Sequence, residues 1–420
     1  MSVYVPPNRK FSETIAERLL KLTAVRVELP PSQHRLACER KAAIERHLER
    51  DESPLAGRIT IFYQQGSMAI GATIRAKRRE DGYDIDIVVE VDLPYSIGAN
   101  DLLDLLYRAV RGERGSRYYD CTARQTRCVT IYYADGMHID LSPTRLVQPL
   151  NPRKSVLPHA KPERPRHEDK FVPTNSYGFA AEFNERNPVD MLFEDSYAEL
   201  AARNDRGMVF AEAESEDVPD HSSKVGGKST TVVALQLIKR FTYLRYGKRS
   251  KLRMPPSVMS SCLILEAARP QRSLSEALLE SVDYMLRQLE AAQRGDRLID
   301  VRNPTDPEDC FTDRWPETLD EQEVFIEDLR YFKRELVRLL NPNASLAERG
   351  EIIKDLFGET PGREAINEVA RELGQAAPPQ RKSVVAPALV GTGVTLAPRI
   401  ASAKPTPTPP STFYGLPWPK

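Results

Sequence analysis

The chain has no stretch of uninterrupted apolar residues long enough to span a bilayer, no secretory leader and no lipidation motif, which leads us to expect a soluble, cytoplasmic protein. It has no excess of either charge: Lys plus Arg and Asp plus Glu are 60 each, so no global field points to nucleic acid or to a membrane surface. Cysteine is scarce and odd in number, with Cys38, Cys121, Cys128, Cys262 and Cys310 spaced too irregularly for a zinc site, which favours reduced, separate thiols. Only two Trp are present, and aromatics make up 7%. These scarcities count against a disulfide scaffold, a zinc module, a membrane protein and a strongly basic nucleic-acid binder. The 420 residues are enough for two domains with a sizeable core.

What is present concentrates in one stretch, Gln64 to Asp92 (QQGSMAIGATIRAKRREDGYDIDIVVEVD). Gly66-Ser67 closes a β-rich run, Ile59, Ile61, Phe62 and Tyr63. It supplies a turn where backbone N–H groups and a hydroxyl can approach a phosphate. A basic excursion follows, in which Arg75 and Lys77 could help neutralise phosphate. Asp84 and Asp86 then head the apolar run Ile87, Val88, Val89, Val91. Side chains alternate along a strand, so both carboxylates leave one face while Ile85 and Ile87 fill the other. Parallel carboxylates repel, and a hard cation such as Mg²⁺ relieves the repulsion while leaving room for substrate phosphates. Asp-x-Asp alone also occurs on ordinary solvated sheet faces. The order Gly-Ser, then Asp-x-Asp, then an apolar strand points to a nucleotidyltransferase site.

A third carboxylate lies further on. Arg127 to Tyr133 reads as a strand, Ala134-Asp135-Gly136 as a hairpin turn, and Met137 to Leu141 as the return strand, ended by Ser142-Pro143. Asp140 shares a polar face with His138, opposite Ile139 and Leu141.

GSMAIGATIR, DIDIVVEV and HIDLSP together resemble the core of the bacterial cGAS/DncV-like nucleotidyltransferases (CD-NTases, SMODS-type), which make cyclic-oligonucleotide second messengers in CBASS anti-phage defence. The likeness runs from about Ser12 to Ala268 and more loosely to Gly374. It implies an α/β plus all-α architecture: a polymerase-β-like nucleotidyltransferase core with helices behind it, and a helical second lobe. It also implies a two-metal transfer in which Asp84, Asp86 and Asp140 are both catalytic residues and ligands of Mg²⁺ (or Mn²⁺), about 3.5–4 Å apart in such sites. Gly66 and Ser67 would bind the nucleotide. Lys239, in a Leu-x-Lys helix, and Ser257, opening the next helix, resemble the residues that hold the donor triphosphate in animal cyclic GMP-AMP synthase. The zinc module of that enzyme has no counterpart in this sequence. Pro173 to Ala180 resembles a segment lining the nucleotide pocket, where Asn175 would read a base edge or simply cap a helix.

The remaining chain reads as follows. Arg9 to Val27 is helical by periodicity, and Ser32 is the expected cap of a second helix to about Arg50; the resemblance implies a helical spine behind the sheet at this position. Asn100 is the expected cap of a helix that buries Leu102, Leu103, Leu106 and Val110. Leu150 to Pro173 reads as a long loop or lid. Residues 226–374 are mostly helical. From Gln375 the chain carries ten of its 33 prolines and should be disordered. Its tip, Phe413 to Lys420, has the composition of a docking motif. We therefore divide the chain into 1–225, a nucleotidyltransferase core with spine helices; 226–374, a helical lobe; and 375–420, a Pro-rich tail. The expected partners are NTP substrates (ATP, GTP or both), a downstream cyclic-nucleotide effector and an accessory protein engaging the tail, with no membrane and no marked nucleic-acid binding. The alternative is a toxin that transfers nucleotides to protein or tRNA. A degenerate scaffold is a third reading, disfavoured by three intact carboxylates.

Overall fold

A computed structural model of the chain describes residues 13–75, 83–147, 154–163, 166–212, 228–249 and 251–374. Lys77 and the tail from Gln375 lie outside the described residues.

The sheet is built around β2 (Tyr83–Val91) and β5 (Met137–Leu146), which run parallel with Asp86 level with Asp140. In their first halves apolar and polar residues alternate, Ile85, Ile87, Ile139 and Leu141 on one face and Asp84, Asp86, His138 and Asp140 on the other. β1 (Ile59–Gln64) lies antiparallel on the free edge of β2. β4 (Val129–Tyr132) returns through the Asp135-Gly136 turn onto β5, and β3 (Thr122–Arg124) follows, giving the order β1-β2-β5-β4-β3. Gly136 takes φ +88, which the turn requires and a side chain would resist.

Two expectations about this sheet are corrected. β5 does not stop at Ser142-Pro143 but continues to Leu146. Pro143 is tolerated because β4 pairs only as far as Leu141 and the next strand begins pairing only at Arg145, so one flank has no partner to miss its N–H. The segment read as a loop contains that strand, β6 (Ser155–His159), and its antiparallel neighbour β7 (Lys170–Thr174). Pro and charge masked the alternation of Val156, Pro158, Phe171 and Pro173 against Leu157 and Val172.

Behind the sheet pack α2 (Pro31–Leu48) and α4 (Ala99–Arg111), burying Ala37, Ile44, Leu48, Leu102, Leu106 and Val110 against Ile85, Ile87, Val89, Ile139 and Leu141. Neither starts at the expected cap. Pro30 precedes α2 with Pro31 at its first position, where a missing N–H costs nothing, and Gly98 precedes α4. Asn100 instead donates to Asp104 at 2.8 Å.

The second core gathers α7 (Thr230–Tyr246), α8 (Ser257–Ala267), α9 (Leu274–Arg294), α10 (Leu319–Leu340), α11 (Leu346–Phe357) and α12 (Glu359–Glu372). Helix α7 is apolar almost all round, with Val233, Leu237, Ile238 and Phe241 fully buried, which marks it as the axis of this lobe. Helices α1 (Ile15–Val27), α5 (Ser176–Arg186) and α6 (Met191–Glu212) join the same core through Leu19, Leu20, Phe183 and Tyr197. The spine behind the sheet is thus α2 without α1. A β8–β9 hairpin (Arg302–Asn303 and Asp306–Cys310) reaches back to the sheet, where Lys154 pairs with buried Asp306 at 2.9 Å. No helix among the described residues is long and apolar enough to cross a membrane.

Candidate active site

Strand parity decides what faces the helical lobe. Asp84 is level with His138 and Asp86 with Asp140, and Thr130 and Tyr132 of β4 stand opposite Asp140 and His138. All six project from the face opposite the core built on Ile85, Ile87, Ile139 and Leu141. Thr130 Oγ1 donates to Asp140 Oδ1 at 2.5 Å, and His138 Nδ1 lies 3.5 Å from Asp84 Oδ1. Burial and the neighbouring Asp140 and Asp84 charges push the Asp86 carboxyl up to about 8, against the pull of Lys239. Burial and Asp84 likewise push Asp140 up to about 6, offset by hydrogen bonds from Thr130 and Cys128. The site thus holds more negative charge than its own cations neutralise.

The Gly-Ser turn closes over this acidic floor. Gly66 takes φ +57, and a Cβ built there would lie 2.7 Å from Asp86 Oδ2, so only glycine lets the turn approach the carboxylate. The Gln65 N–H donates to the Asp86 carbonyl at 2.9 Å, fixing the register of turn and strand. Ser67 sits in the single turn α3 (Gly66–Ala69), and its Oγ accepts from Lys239 Nζ. Lys239 also donates to the Ala72 carbonyl at 2.9 Å. Desolvation draws its ammonium down to about 8, with Asp86 and Asp84 acting the other way.

The structure therefore brings Gly66, Ser67, Asp84, Asp86, Asp140 and Lys239 together. Two other expected residues make no hydrogen bond or ion pair to that group among the described residues. Asn175 is the N-cap of α5: its Oδ1 accepts from the Gly178 N–H at 2.9 Å, its Nδ2 donates to Thr305 at 3.2 Å, and it is 1% exposed. The cap role is the one its geometry displays, and so buried a side chain offers little to a base. Ser257 is the first residue of α8, one place past the expected cap; Pro256 precedes it, and its hydroxyl has no hydrogen-bond partner among the described residues. Arg75 is turned to the end of α1, donating from Nε to the Glu28 carbonyl at 3.0 Å.

Sequence reasoning missed Lys228 and Gln236. Lys228 Nζ donates to the Gly71 carbonyl at 2.5 Å and stands 3.7 Å from Glu28, whose carboxylate also accepts from Tyr197 at 3.1 Å. Gln236, fully buried, donates to the Thr73 carbonyl at 3.0 Å. With Lys239 they stitch the loop after the Gly-Ser turn to α7. The spacing Gln236-x-x-Lys239 on one helix face was the available signal.

As they stand, no three acidic, His or Cys side chains among the described residues are drawn together tightly enough to hold a metal. The fit to a divalent cation is chemical: three carboxylates on one face, with Asp86 and Asp140 held well above their ordinary values by burial and by the charges of their neighbours.

An acidic floor under a Gly-Ser turn clamped by a helix-borne lysine defines a nucleotidyltransferase. Comparison with known proteins narrows the class. The model of the Second Messenger Oligonucleotide or Dinucleotide Synthetase domain matches residues 15–187. The chain is 36% identical over 406 residues to the cyclic dinucleotide synthase CdnG of Bradyrhizobium diazoefficiens, covering 94% of this chain and 95% of that protein. The structure of that CD-NTase in complex with GTP superposes with a TM-score of 0.70, covering 83% of this chain and 97% of that one. CdnC of E. coli MS115-1, solved with ATP and in a complex with HORMA-deltaN, shares the fold at TM-scores of 0.56 and identities of 15% and 14%, covering 83% of this chain and 99% and 98% of those chains. The chain belongs to the second messenger oligonucleotide or dinucleotide synthetase family.

Proposed function

We propose that this protein joins two NTPs, at least one of them GTP, into a cyclic dinucleotide with release of pyrophosphate. The observation that carries the reading is the contact of Lys239 with Ser67 beside the carboxylates of Asp86 and Asp84. It offers a cation, a hydroxyl and a close-approaching backbone to a donor triphosphate, which supports the reading. The extensive likeness to CdnG, solved with GTP, supports the substrate class.

Asp84, Asp86 and Asp140 would hold Mg²⁺ (or Mn²⁺), which when bound neutralises the leaving pyrophosphate and makes the acceptor hydroxyl easier to deprotonate. Ser67 and Lys239 hold the donor phosphates. Ser257, whose hydroxyl is not spent on its own helix, is a further phosphate ligand. Thr130 keeps the Asp140 carboxylate in place, and Gln65 keeps the turn over Asp86. Repeating the transfer on the linear intermediate closes the ring. The product would act on a downstream effector, and an accessory protein would engage the region beyond Gly374.

The test is incubation with labelled NTPs and Mg²⁺, phosphatase treatment and chromatography. The expected result is a phosphatase-resistant product that requires GTP and no macromolecular acceptor. Label confined to protein or tRNA would establish the toxin reading instead.

A further inference from the structure

Four of the five backbone carbonyls from Gly71 to Arg75 accept hydrogen bonds from α7 and its entry. Lys228 takes Gly71 at 2.5 Å, Lys239 takes Ala72 at 2.9 Å, Gln236 takes Thr73 at 3.0 Å and Arg240 takes Arg75 at 3.4 Å. The segment is tied in turn to the Gly-Ser turn, since the Ala72 N–H donates to the Ser67 carbonyl at 2.8 Å. A displacement of this segment is therefore a displacement of Ser67.

Arg240 also reaches the C-terminal helices. Its Nε donates to the carbonyl of Phe357, the last residue of α11, at 3.0 Å. That carbonyl lies at a helix C-terminus, where the last carbonyls have no intrahelical partner and the dipole gathers partial negative charge. A guanidinium holds its donors in a rigid fork and can serve two acceptors at once. Arg240 is 6% exposed, and burying a cation costs free energy that an apolar side chain, such as its neighbours Ile238 and Phe241, would avoid.

The junction of α11 and α12 is shaped to receive it. Gly358 takes φ +105 there, and a Cβ built on it would lie 3.1 Å from Arg240 Nη2. Helix α12 is held on α1 by Arg18 and Glu372 at 2.5 Å, and Val27, at the end of α1, accepts from the Arg75 N–H at 2.7 Å. The segment 71–75 thus runs between α7 and α1, and the α11–α12 unit pins both.

We propose that Arg240 is a positioning residue for the donor cradle, which sets the place of Ser67 through the segment 71–75 and ties it to the junction of α11 and α12. The inference rests on the synthase reading above, in which Ser67 and Lys239 hold the donor phosphates. Arg240 itself touches no substrate and acts only on the geometry of the residues that do.

The probe is 2′,3′-dideoxy-GTP with Mg²⁺, which has no ribose hydroxyl to accept and so binds without reacting. Its Kd is measured by equilibrium dialysis on the full chain, beside KM and kcat for GTP turnover. Arg240→Met keeps the bulk of the side chain and removes its donors. It should raise both Kd and KM about tenfold, the size of a lost charge-assisted contact, with kcat at saturating nucleotide within about threefold. Arg240→Lys, which serves one carbonyl at a time, should fall between that variant and wild type. Gly358→Ala, which crowds the guanidinium from the far side, should raise the same two constants. Val369→Ala is the control: it thins the packing of α12 without removing any donor or acceptor, and should lower the melting temperature with Kd unchanged. Should Arg240→Met not fold, Arg240→Lys and Gly358→Ala carry the same test. A folded Arg240→Met that binds like wild type would overturn the proposal. So would a Val369→Ala that raises Kd as far as Arg240→Met does at an equal fall in melting temperature. A wild type that binds dideoxy-GTP but joins no nucleotides would overturn the synthase reading and leave Arg240 judged by dialysis; one that binds none would overturn both.

Discussion

At the scale of single residues, the site trades stability for charge. Asp86 is held at about 8 by burial and by two like charges, so its ionised form is a cost to the fold. Asp86→Asn should abolish transfer while the melting temperature of the metal-free protein holds or rises; a clear fall in that temperature would contradict the account of the site. Mg²⁺ should raise the melting temperature of the wild type and raise that of the variant less, since a ligand that binds only the native state stabilises it. Gly66 is constrained twice, by its φ of +57 and by Asp86 Oδ2 at 2.7 Å from any added Cβ. Gly66→Ala should cost about 1–2 kcal/mol for the left-handed backbone alone and should also cost activity by pushing the turn off the carboxylate. A variant as active and as stable as wild type in urea titration would show that the turn can relax. His159 adds a pH dependence of its own: burial, Arg127, Arg314 and Lys170 draw its imidazole from 6.5 down to about 4. At this group the unfolded chain binds more protons between those values, so its contribution to stability falls as pH drops from about 6.5 to about 4, against the raised carboxyls of Asp86 and Asp140, which gain stability in the same direction. His159→Gln should flatten that limb of the stability curve.

At the scale of elements, α7 does the work that no single motif announces. Lys239 and Gln236 on the helix, and Lys228 just before it, each bind a carbonyl or hydroxyl of the loop 67–73, so the helix and its entry fix the cradle as well as lining it. Lys239→Met should raise the KM for NTP about tenfold or more, a charge-assisted contact being worth that much, whereas an unchanged KM would move the clamp elsewhere. The strands that carry Asp84, Asp86 and Asp140 were legible because Ile85, Ile87, Ile139 and Leu141 alternate cleanly against them. The β6–β7 pair was not, because Pro158 and Pro173 and a run of charge break the alternation, and the β8–β9 hairpin that β7 packs against lies more than a hundred residues away. Caps were misplaced for a related reason. Ser32, Asn100 and Ser257 have capping chemistry, but Pro30, Gly98 and Pro256 already set the extended backbone that starts each helix. Ser257 thereby keeps a hydroxyl for another use.

At the scale of the whole molecule, the chain order and the packing order diverge. A boundary at residue 225 follows the sequence, yet α1 packs with the helical core, where Arg18 meets Glu372 at 2.5 Å and Arg26 meets Glu368. A chain ending at Gly374 keeps every one of these contacts and should melt and turn over like the full-length protein. A chain ending at Gly358 removes α12 and should lose several kcal/mol, since Ala365 and Val369 leave the core with it. If both truncations melt alike, α12 is not the closing element. The pairing of the first described helix with the last also bears on how the enzyme is born. At about 5–20 residues per second, synthesis separates α1 from α12 by tens of seconds. Through that interval the catalytic strands are already outside the ribosome, while α1 still lacks the surface it packs on. A nascent or prematurely ended chain thus carries the carboxylates without a finished helical lobe behind Lys239, and no nucleotide signal should issue from a fragment.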